Sequence, residues 1–328
     1  RHMSMQSTVT VSLAGKRARM AGAIEARRRS GIFSRSRGLL ADFTSFRFLL
    51  PIIAVFIVLY AIPLGQTVYY SLTDFNGYNL DLHFVGLKNY AKVFSDPSIL
   101  QGLGFTVIYT VGTTVAITVL AIPLAVTLNK KFFGRNFARS LFFFFSVPSL
   151  AIMGMIWKYI FSPTDTGLAN TILSYVGIPA QPWIASTGMA RFCVIFIAVW
   201  AQVGWHATLY LAYLQSIPSD LYEQAAVDGA NSRQQFFHIT LPQLVPGVGV
   251  STFLLLSGGL KVYDLPFTMT KGGPGFSTNT VTQSIIVQGI SQGQYGVGSA
   301  LAVMFTAVTA VVVFIQMGVT SLISKRFA

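Results

Sequence analysis

Polar and aromatic residues interrupt the long apolar stretches of this sequence at two places. In the first, Gln202, Trp205 and Leu209 follow one another at intervals of three and four residues, with His206 beside them. Such spacing places the first three on one face of a helix. An aromatic ring can stack on the apolar C–H face of a sugar while amide and hydroxyl groups bind its hydroxyls. The pattern therefore predicts a helix face that contacts a carbohydrate.

The second group lies about 50 residues further on and combines Gly258 and Gly259 with Lys261 and Asp264. Polar groups inside a membrane span are costly and are candidates for function by default. We therefore expect both groups to line a path for a polar substrate.

Each of these residues also has a structural interpretation. Trp205 could pack on a neighbouring helix, and His206 could form a hydrogen bond between helices. Lys261 and Asp264 could form an ion pair near the outer membrane surface. The two glycines could serve close helix packing or could form a flexible break at a cavity. The sequence leaves these alternatives open.

A third feature is the polar segment 215–243, which has the spacing of two short capped helices. Asp220 with Glu223 and Ser232 with Gln235 have capping-box spacing, and Gly229 stands where a helix would end in a left-handed turn. The segment thus predicts two helices joined at a tight corner, the second one ending at Pro242. Helices this short are marginal unless they dock on something. We expect a docking site for a partner protein, the alternative being an amphipathic turn on the membrane surface.

Composition places these features in a membrane protein. Of the 328 residues 53% are hydrophobic and only 10% are charged, against about 25% charged residues in soluble domains. A spanning helix needs about 20 mainly apolar residues. Six stretches qualify, which predicts an all-α membrane protein with about six transmembrane helices: 48–70, 104–128, 141–161, 192–214, 244–263 and 299–323.

The distribution of basic residues predicts the orientation. The chain carries a net charge of +13, and much of it lies in an N-terminal tail, residues 1–47, ahead of a transmembrane domain, residues 48–328. The loop after the second span holds Lys130, Lys131, Arg135 and Arg139 without an acidic residue. Basic residues beside spans mark the cytoplasmic side and favour anionic lipid. We expect both termini and segment 215–243 to be cytoplasmic, the tail to bind anionic lipid rather than nucleic acid, and the first residues to be a cloning remnant.

Several functions are disfavoured by what the sequence lacks. It contains no G-x-x-x-x-G-K-[ST] phosphate-binding loop, no Cys/His metal spacing and no Ser/His/Asp arrangement. The single cysteine, Cys193, excludes an internal disulfide. We expect no catalysis by this chain alone, and an energy source that is either another polypeptide or an ion gradient.

The segment from Glu223 to Ala230, followed by Phe237-x-Ile-Thr-Leu-Pro, resembles the EAA loop of binding-protein-dependent ABC importer permeases. It is similar to the carbohydrate branch, with the maltose and glycerol-phosphate permeases. The segment Thr-Lys-Gly-Gly-Pro-Gly, which begins at Thr270, resembles a second motif of that branch. The resemblance covers most of the chain after the basic tail, and Gln224 departs from the motif, which usually has alanine there. It assigns a coupling role toward an ATPase to Glu223, Ala225, Ala226, Asp228 and Gly229.

The resemblance implies a type I ABC importer permease fold with a cytoplasmic coupling helix between spans four and five. It implies a second homologous permease, two ATPase subunits, an extracellular or lipid-anchored solute-binding protein and a carbohydrate substrate. ATP and magnesium would bind to the ATPases, and this chain would bind no cofactor or metal. The location would be a bacterial inner or plasma membrane. A secondary transporter driven by an ion gradient is the main alternative; it would need paired acids or broken helices in mid-span, and Asp264 is the only acid near a span.

Overall fold

The computed structural model describes residues 49–78 and 81–327, so the basic tail lies outside the described residues. Two compact units divide the chain after Gln66. In the first, residues 49–66 form apolar helix whose side chains are all exposed. The second unit is built from helices, and its one bridge between extended residues joins Thr73 and Phe84 within the described part.

Four of the six predicted spans are confirmed as uninterrupted apolar helices. They are α1, which contains a turn of π-helix, and three longer helices that each exceed the bilayer core in length. Their bounds are Leu49–Ser71 (α1), Pro97–Asn129 (α3), Thr187–Gln215 (α7) and Tyr295–Phe327 (α13). The short helix α2, Lys88–Ser95, precedes α3.

The third predicted span is broken into two helices. α4 covers Arg135–Phe144 and α5 covers Leu150–Ile160, which at about 1.5 Å per residue is too short to cross a membrane alone. Pro148 lies in the break, and the Ser146 hydroxyl donates to the Ala201 carbonyl of α7 over 2.7 Å. Proline lacks the N–H that would continue a helix, and the hydroxyl bond anchors the interrupted backbone to its neighbour.

The fifth predicted span corresponds to one shorter helix, and a bend lies before this helix and not within it. α10, Val245–Leu260, is preceded by α9, Ser232–Gln243, and the two helices meet at an angle of 62°. The remaining short helices are α6, Leu168–Tyr175; α8, Ser219–Val227; α11, Asp264–Thr270; and α12, Val281–Ile286, which continues as a π-turn.

Two clusters of buried apolar side chains show in which direction the long helices run relative to one another. The first joins Phe105, near the start of α3, to Val194, near the start of α7, and to Leu265 of α11. The second joins Ala125 and Leu214, near the ends of the same two long helices. α3 and α7 are therefore parallel. We call the end where they begin the upper end and the end where they finish the lower end.

The other helices complete an alternating path. Leu244, just before α10, belongs to the lower apolar cluster, and Val262, just after α10, belongs to the upper apolar cluster. Gln316, late in α13, donates to the Gly249 carbonyl, early in α10, over 2.9 Å, so α13 runs back to the lower end. Segment 215–243 and the last residues of α13 therefore share the lower end. This order agrees with the predicted sequence of crossings.

Close hydrogen bonding holds the upper end together. Asp96 caps α3 by accepting from the Ser98 backbone, and Gln288 donates to its other carboxylate oxygen over 2.9 Å. These bonds lower the pKa of Asp96, the side-chain bond from Ser98 contributing most. The buried Asn89 amide donates to the carbonyls of Ser71 and Thr73. These bonds thus join the start of α3 to the π-turn after α12, and α2 to the residues at the end of α1.

Candidate functional site

The predicted corner at Gly229 is confirmed in detail. α8 ends at Val227, and Gly229 adopts a left-handed φ of +82°. The Gly229 N–H donates to the Ala226 carbonyl and the Ala230 N–H to the Ala225 carbonyl, at 3.1 and 2.8 Å. These two bonds form a Schellman motif, which glycine accommodates without the strain that a Cβ atom brings.

Of the two predicted capping boxes, the first is absent and the second lies one residue earlier than predicted. α8 starts after Pro218 without a side-chain cap, so Asp220 lies in its first turn, where a negative charge complements the helix dipole. α9 does have a capping box, but one residue earlier than predicted, between Asn231 and Gln234. The prediction failed because Asn231 keeps an extended backbone and Ser232 is already helical.

The second helix ends at Gln243, one residue after the predicted end at Pro242. Pro242 lies inside the last turn of α9, and the bend follows at Leu244. A π-helical stretch from Phe236 to Thr240 directly precedes that turn. Proline is tolerated in the first turn of a new helical segment, where its missing N–H would lack a partner anyway.

α8 contributes no buried residue to its own chain. Glu223, Ala226 and Asp228 are exposed, Ala225 is half-buried, and Val227 is 89% exposed. A single side-chain bond, between the hydroxyls of Tyr222 and Thr240, ties the helix to α9 at 3.0 Å. The five predicted coupling residues therefore form a free surface at the lower end of the bundle.

A cavity of about 320 Å³ lies between α3, α7 and the upper part of α10. It lies halfway along the two long helices, because Thr113 and Gln202 line it near their midpoints. Five of the eight residues predicted for the substrate path line this cavity: Gln202, Gly258, Gly259, Lys261 and Asp264.

Lys261 and Asp264 do not form the ion pair that was one of the two interpretations. Within the described residues, the only ion pair closer than 4.0 Å joins His83 and Asp74. The backbone explains this. α10 ends at Leu260 and α11 starts at Asp264, so the two side chains are not one turn apart on a single helix. Both side chains are exposed at the cavity, and Lys261 also lines a larger groove of about 680 Å³ beside α13.

The other three predicted path residues do not line the cavity. His206 is 3% exposed, and its Nδ1 is 2.8 Å from the Ser251 hydroxyl, so it joins α7 to α10 as in the structural interpretation. Trp205 is 38% exposed and places its ring edge-on to His206. Leu209 packs against the lower apolar cluster. The predicted face of α7 is thus divided, with Gln202 at the cavity, Leu209 against the core and Trp205 exposed.

The two adjacent glycines of α10 have different surroundings. A Cβ on Gly259 would lie 3.0 Å from the Thr110 side chain and 3.1 Å from its Cα, so this glycine permits close packing on α3. A Cβ on Gly258 would meet nothing within 4 Å. Gly258 therefore leaves open space at the cavity, but both glycines lie within α10, so the structure shows close packing at Gly259 and no break at either position.

Residues of α3 that the sequence analysis did not single out also line the cavity, namely Tyr109 and Thr113. Thr106, Thr110 and Thr113 recur on one face of α3, and each hydroxyl donates to a carbonyl four residues back at 2.7 Å. A polar stripe of this kind in an apolar span is the signal that could have identified α3. Among the described residues, no group of three acidic, histidine or cysteine side chains could hold a metal ion.

Comparison with known proteins identifies the relationship. Residues 117–328 match the family described as "Binding-protein-dependent transport system inner membrane component". The "Probable starch degradation products transport system permease protein AmyD" of Thermoanaerobacterium thermosulfurigenes is 33% identical over 83% of this chain and 92% of its own length. The "Multiple sugar-binding transport system permease protein MsmF" of Streptococcus mutans is 31% identical over 89% of this chain and 98% of its own length.

Solved structures share the fold. A chain of a bacterial alginate ABC transporter, crystallised in complex with an alginate pentasaccharide-bound periplasmic protein, superposes with a TM-score of 0.77 at 22% identity. The match covers 88% of this chain and 98% of that chain. The predicted family is confirmed: this chain belongs to the inner membrane components of binding-protein-dependent transport systems and is a multi-pass permease of the ABC importer type.

Proposed function

We propose that the chain forms, with a second homologous permease, the translocation path for a carbohydrate that a solute-binding protein delivers. The observation that carries this proposal is α8, a short helix without one buried residue that a rigid corner presents at the lower end of the bundle. A helix of nine residues is marginal in isolation and gains stability when a partner covers it. An ATPase subunit that covers α8 would supply this stabilisation.

Coupling follows from how α8 is attached. Its C-terminal corner is fixed by the Schellman bonds at Gly229, and the Tyr222 hydroxyl ties it to α9. α9 leads through the 62° bend into α10, which reaches the cavity at Gly258 and Gly259. A movement of α8 driven by an ATPase is thereby transmitted to a helix that lines the path.

The cavity supports a carbohydrate as the substrate class. Its lining offers the Gln202 amide, the Lys261 ammonium and the Asp264 carboxylate, which together donate and accept hydrogen bonds. The rings of Tyr109 and Tyr263 provide apolar surface in the same cavity. Starch degradation products and multiple sugars appear in the names of the two relatives, which supports the same class.

The remaining parts of the proposal follow from this role. ATP and magnesium bind to two ATPase subunits, and this chain performs no catalysis and holds no cofactor. The lower end faces the cytoplasm, together with both termini, because Lys130, Lys131 and Arg135 lie there. The basic tail contacts anionic lipid.

Purification from the native membrane in a gentle detergent tests the proposal. We expect a P-loop ATPase, a second six-span permease and a solute-binding protein to accompany the chain, and the sugar carried by that binding protein to be transported by the complex. Recovery of the chain alone, with uptake that persists without ATP but needs an ion gradient, would contradict the proposal in favour of a secondary transporter.

A further inference from the structure

The segment 130–144, which links α3 to the break before α5, carries four basic residues and no acidic one. Arg139 has a structural role, because its Nε and Nη2 donate to the Leu128 carbonyl at 3.1 and 2.8 Å and so cap the end of α3. Lys130, Lys131 and Arg135 are in no ion pair within the described residues. Three cations are therefore available to a ligand at the lower end of the bundle.

The helix in this segment, α4, is amphipathic, and its apolar face is uncovered. Phe137, Leu141 and Phe144 follow at intervals of four and three residues and are 73%, 44% and 62% exposed. Arg135 and Arg139 lie on the opposite face, also four residues apart. α4 begins at the lower end, and its Phe142 carbonyl lies against Gly204 near the midpoint of α7, so the exposed apolar face extends from the headgroup level near Arg135 toward the acyl chains.

The turn before α4 forms a concave basic surface. A hollow of about 460 Å³ is lined by residues 131–137, among them Lys131, Arg135 and Phe133. The ring of Phe133 is fully exposed. Gly134 makes the turn with a φ of +79°, and the Arg139 bonds to α3 hold the segment in place. The turn that lines the hollow is thus followed by a helix anchored to the end of α3.

We propose that this segment binds anionic phospholipid, with the phosphate between Lys131 and Arg135 and the rings of Phe133 and Phe137 in the acyl-chain region. The charges are complementary, since the three cations are in no ion pair within the described residues and segment 130–144 itself contains no carboxylate. Exposed aromatic rings beside cations match the two parts of a phospholipid, an apolar acyl region next to an anionic phosphate, which favours a lipid over a protein partner. This site is separate from the basic tail and does not depend on the proposed substrate.

Native mass spectrometry of the full chain, released from nanodiscs that contain equal amounts of phosphatidylglycerol and phosphatidylcholine, tests this site. The variant Lys131→Gln/Arg135→Gln is compared with Lys88→Gln/Lys92→Gln, which removes two exposed lysines at the same spacing on α2 at the upper end. Each basic residue near a charged membrane contributes about 1 kcal/mol. We expect phosphatidylglycerol to bind about 30-fold more weakly to the first variant and unchanged to the second.

A second measurement keeps the proposal testable if the double variant folds poorly. Phe133→Trp adds one fluorophore to the four native tryptophans. Its added fluorescence should be quenched more by brominated phosphatidylglycerol than by brominated phosphatidylcholine. Equal quenching by the two lipids, or phosphatidylglycerol binding that falls equally in both double variants or in neither, would overturn the assignment.

Discussion

Substitution of Gly229 should uncouple ATP hydrolysis from transport. A residue with a Cβ atom at a left-handed φ costs about 1–2 kcal/mol. The φ of Gly229 is +82°, and a Cβ there would meet nothing within 4 Å, so this backbone cost is the whole expected effect of Gly229→Ala. It lowers the equilibrium constant between the intact and the disrupted corner about 5- to 30-fold. Gly229→Pro goes further, because proline cannot adopt this φ and lacks the N–H that bonds to Ala226.

The chain supplies a matched control in Gly177, at the end of α6 near the upper end. Gly177 has a φ of +73° and also has free space around its Cβ position. Its N–H donates to Ser174 and the next N–H to Leu173, which is the same Schellman arrangement. Gly177→Ala therefore imposes an equal backbone cost away from α8.

The assay is the number of ATP molecules hydrolysed per sugar taken up, measured in proteoliposomes with the complete transporter. We expect this number to rise in Gly229→Ala, to rise further in Gly229→Pro, and to stay at the wild-type value in Gly177→Ala. Normal coupling in both Gly229 variants, or an equal defect in Gly177→Ala, would refute the assignment of this corner to coupling.

Three further predictions concern stability, each measured as the thermal unfolding midpoint in detergent. Gly204→Ala should lower it, because the Cβ would overlap the Phe142 carbonyl and overpacking costs about 1–3 kcal/mol, whereas Gly188→Ala on the same helix has open space and should raise it slightly. His206→Ala should destabilise by about 1–3 kcal/mol, since it leaves a buried serine hydroxyl without its partner. Because its hydrogen bonds lower the pKa of Asp96, that carboxylate stabilises the fold above about pH 4 and loses this contribution as the pH falls further. Asp96→Asn should lack this part of the acid dependence; an identical pH profile would contradict the assignment.

The uninterrupted spans could be predicted because length and apolarity alone decide whether a helix can cross a bilayer. The Gly229 corner could be predicted because glycine is the residue that a left-handed helix end prefers. The break between α4 and α5 could not be predicted from apolarity, because the aromatic run up to Phe145 continues the pattern of a span. Its backbone is held by the Ser146 hydroxyl on α7, which is a contact between helices distant in sequence.

The residues that line the cavity could be predicted only in part, because here too contacts between distant helices decide which side chains face it. Linear spacing identified faces of α7 and α10, yet it could not tell that His206 bonds to Ser251 while Gln202 faces the cavity. The same spacing would place Lys261 and Asp264 one turn apart on one helix, whereas a break in the backbone separates them. The contribution of Tyr109 depends on how α3 packs against two other helices, which the sequence does not specify locally.

Photo-crosslinking from α8 tests the central claim, that this helix docks on an ATPase, most directly. Val227 is 89% exposed at the end of α8, and Val176 is 69% exposed beside the matched corner at the upper end. With benzoylphenylalanine at position 227, we expect a product that joins this chain to a P-loop ATPase, and no such product from position 176. An absence of ATPase product from position 227, in a complex that hydrolyses ATP, would contradict the account.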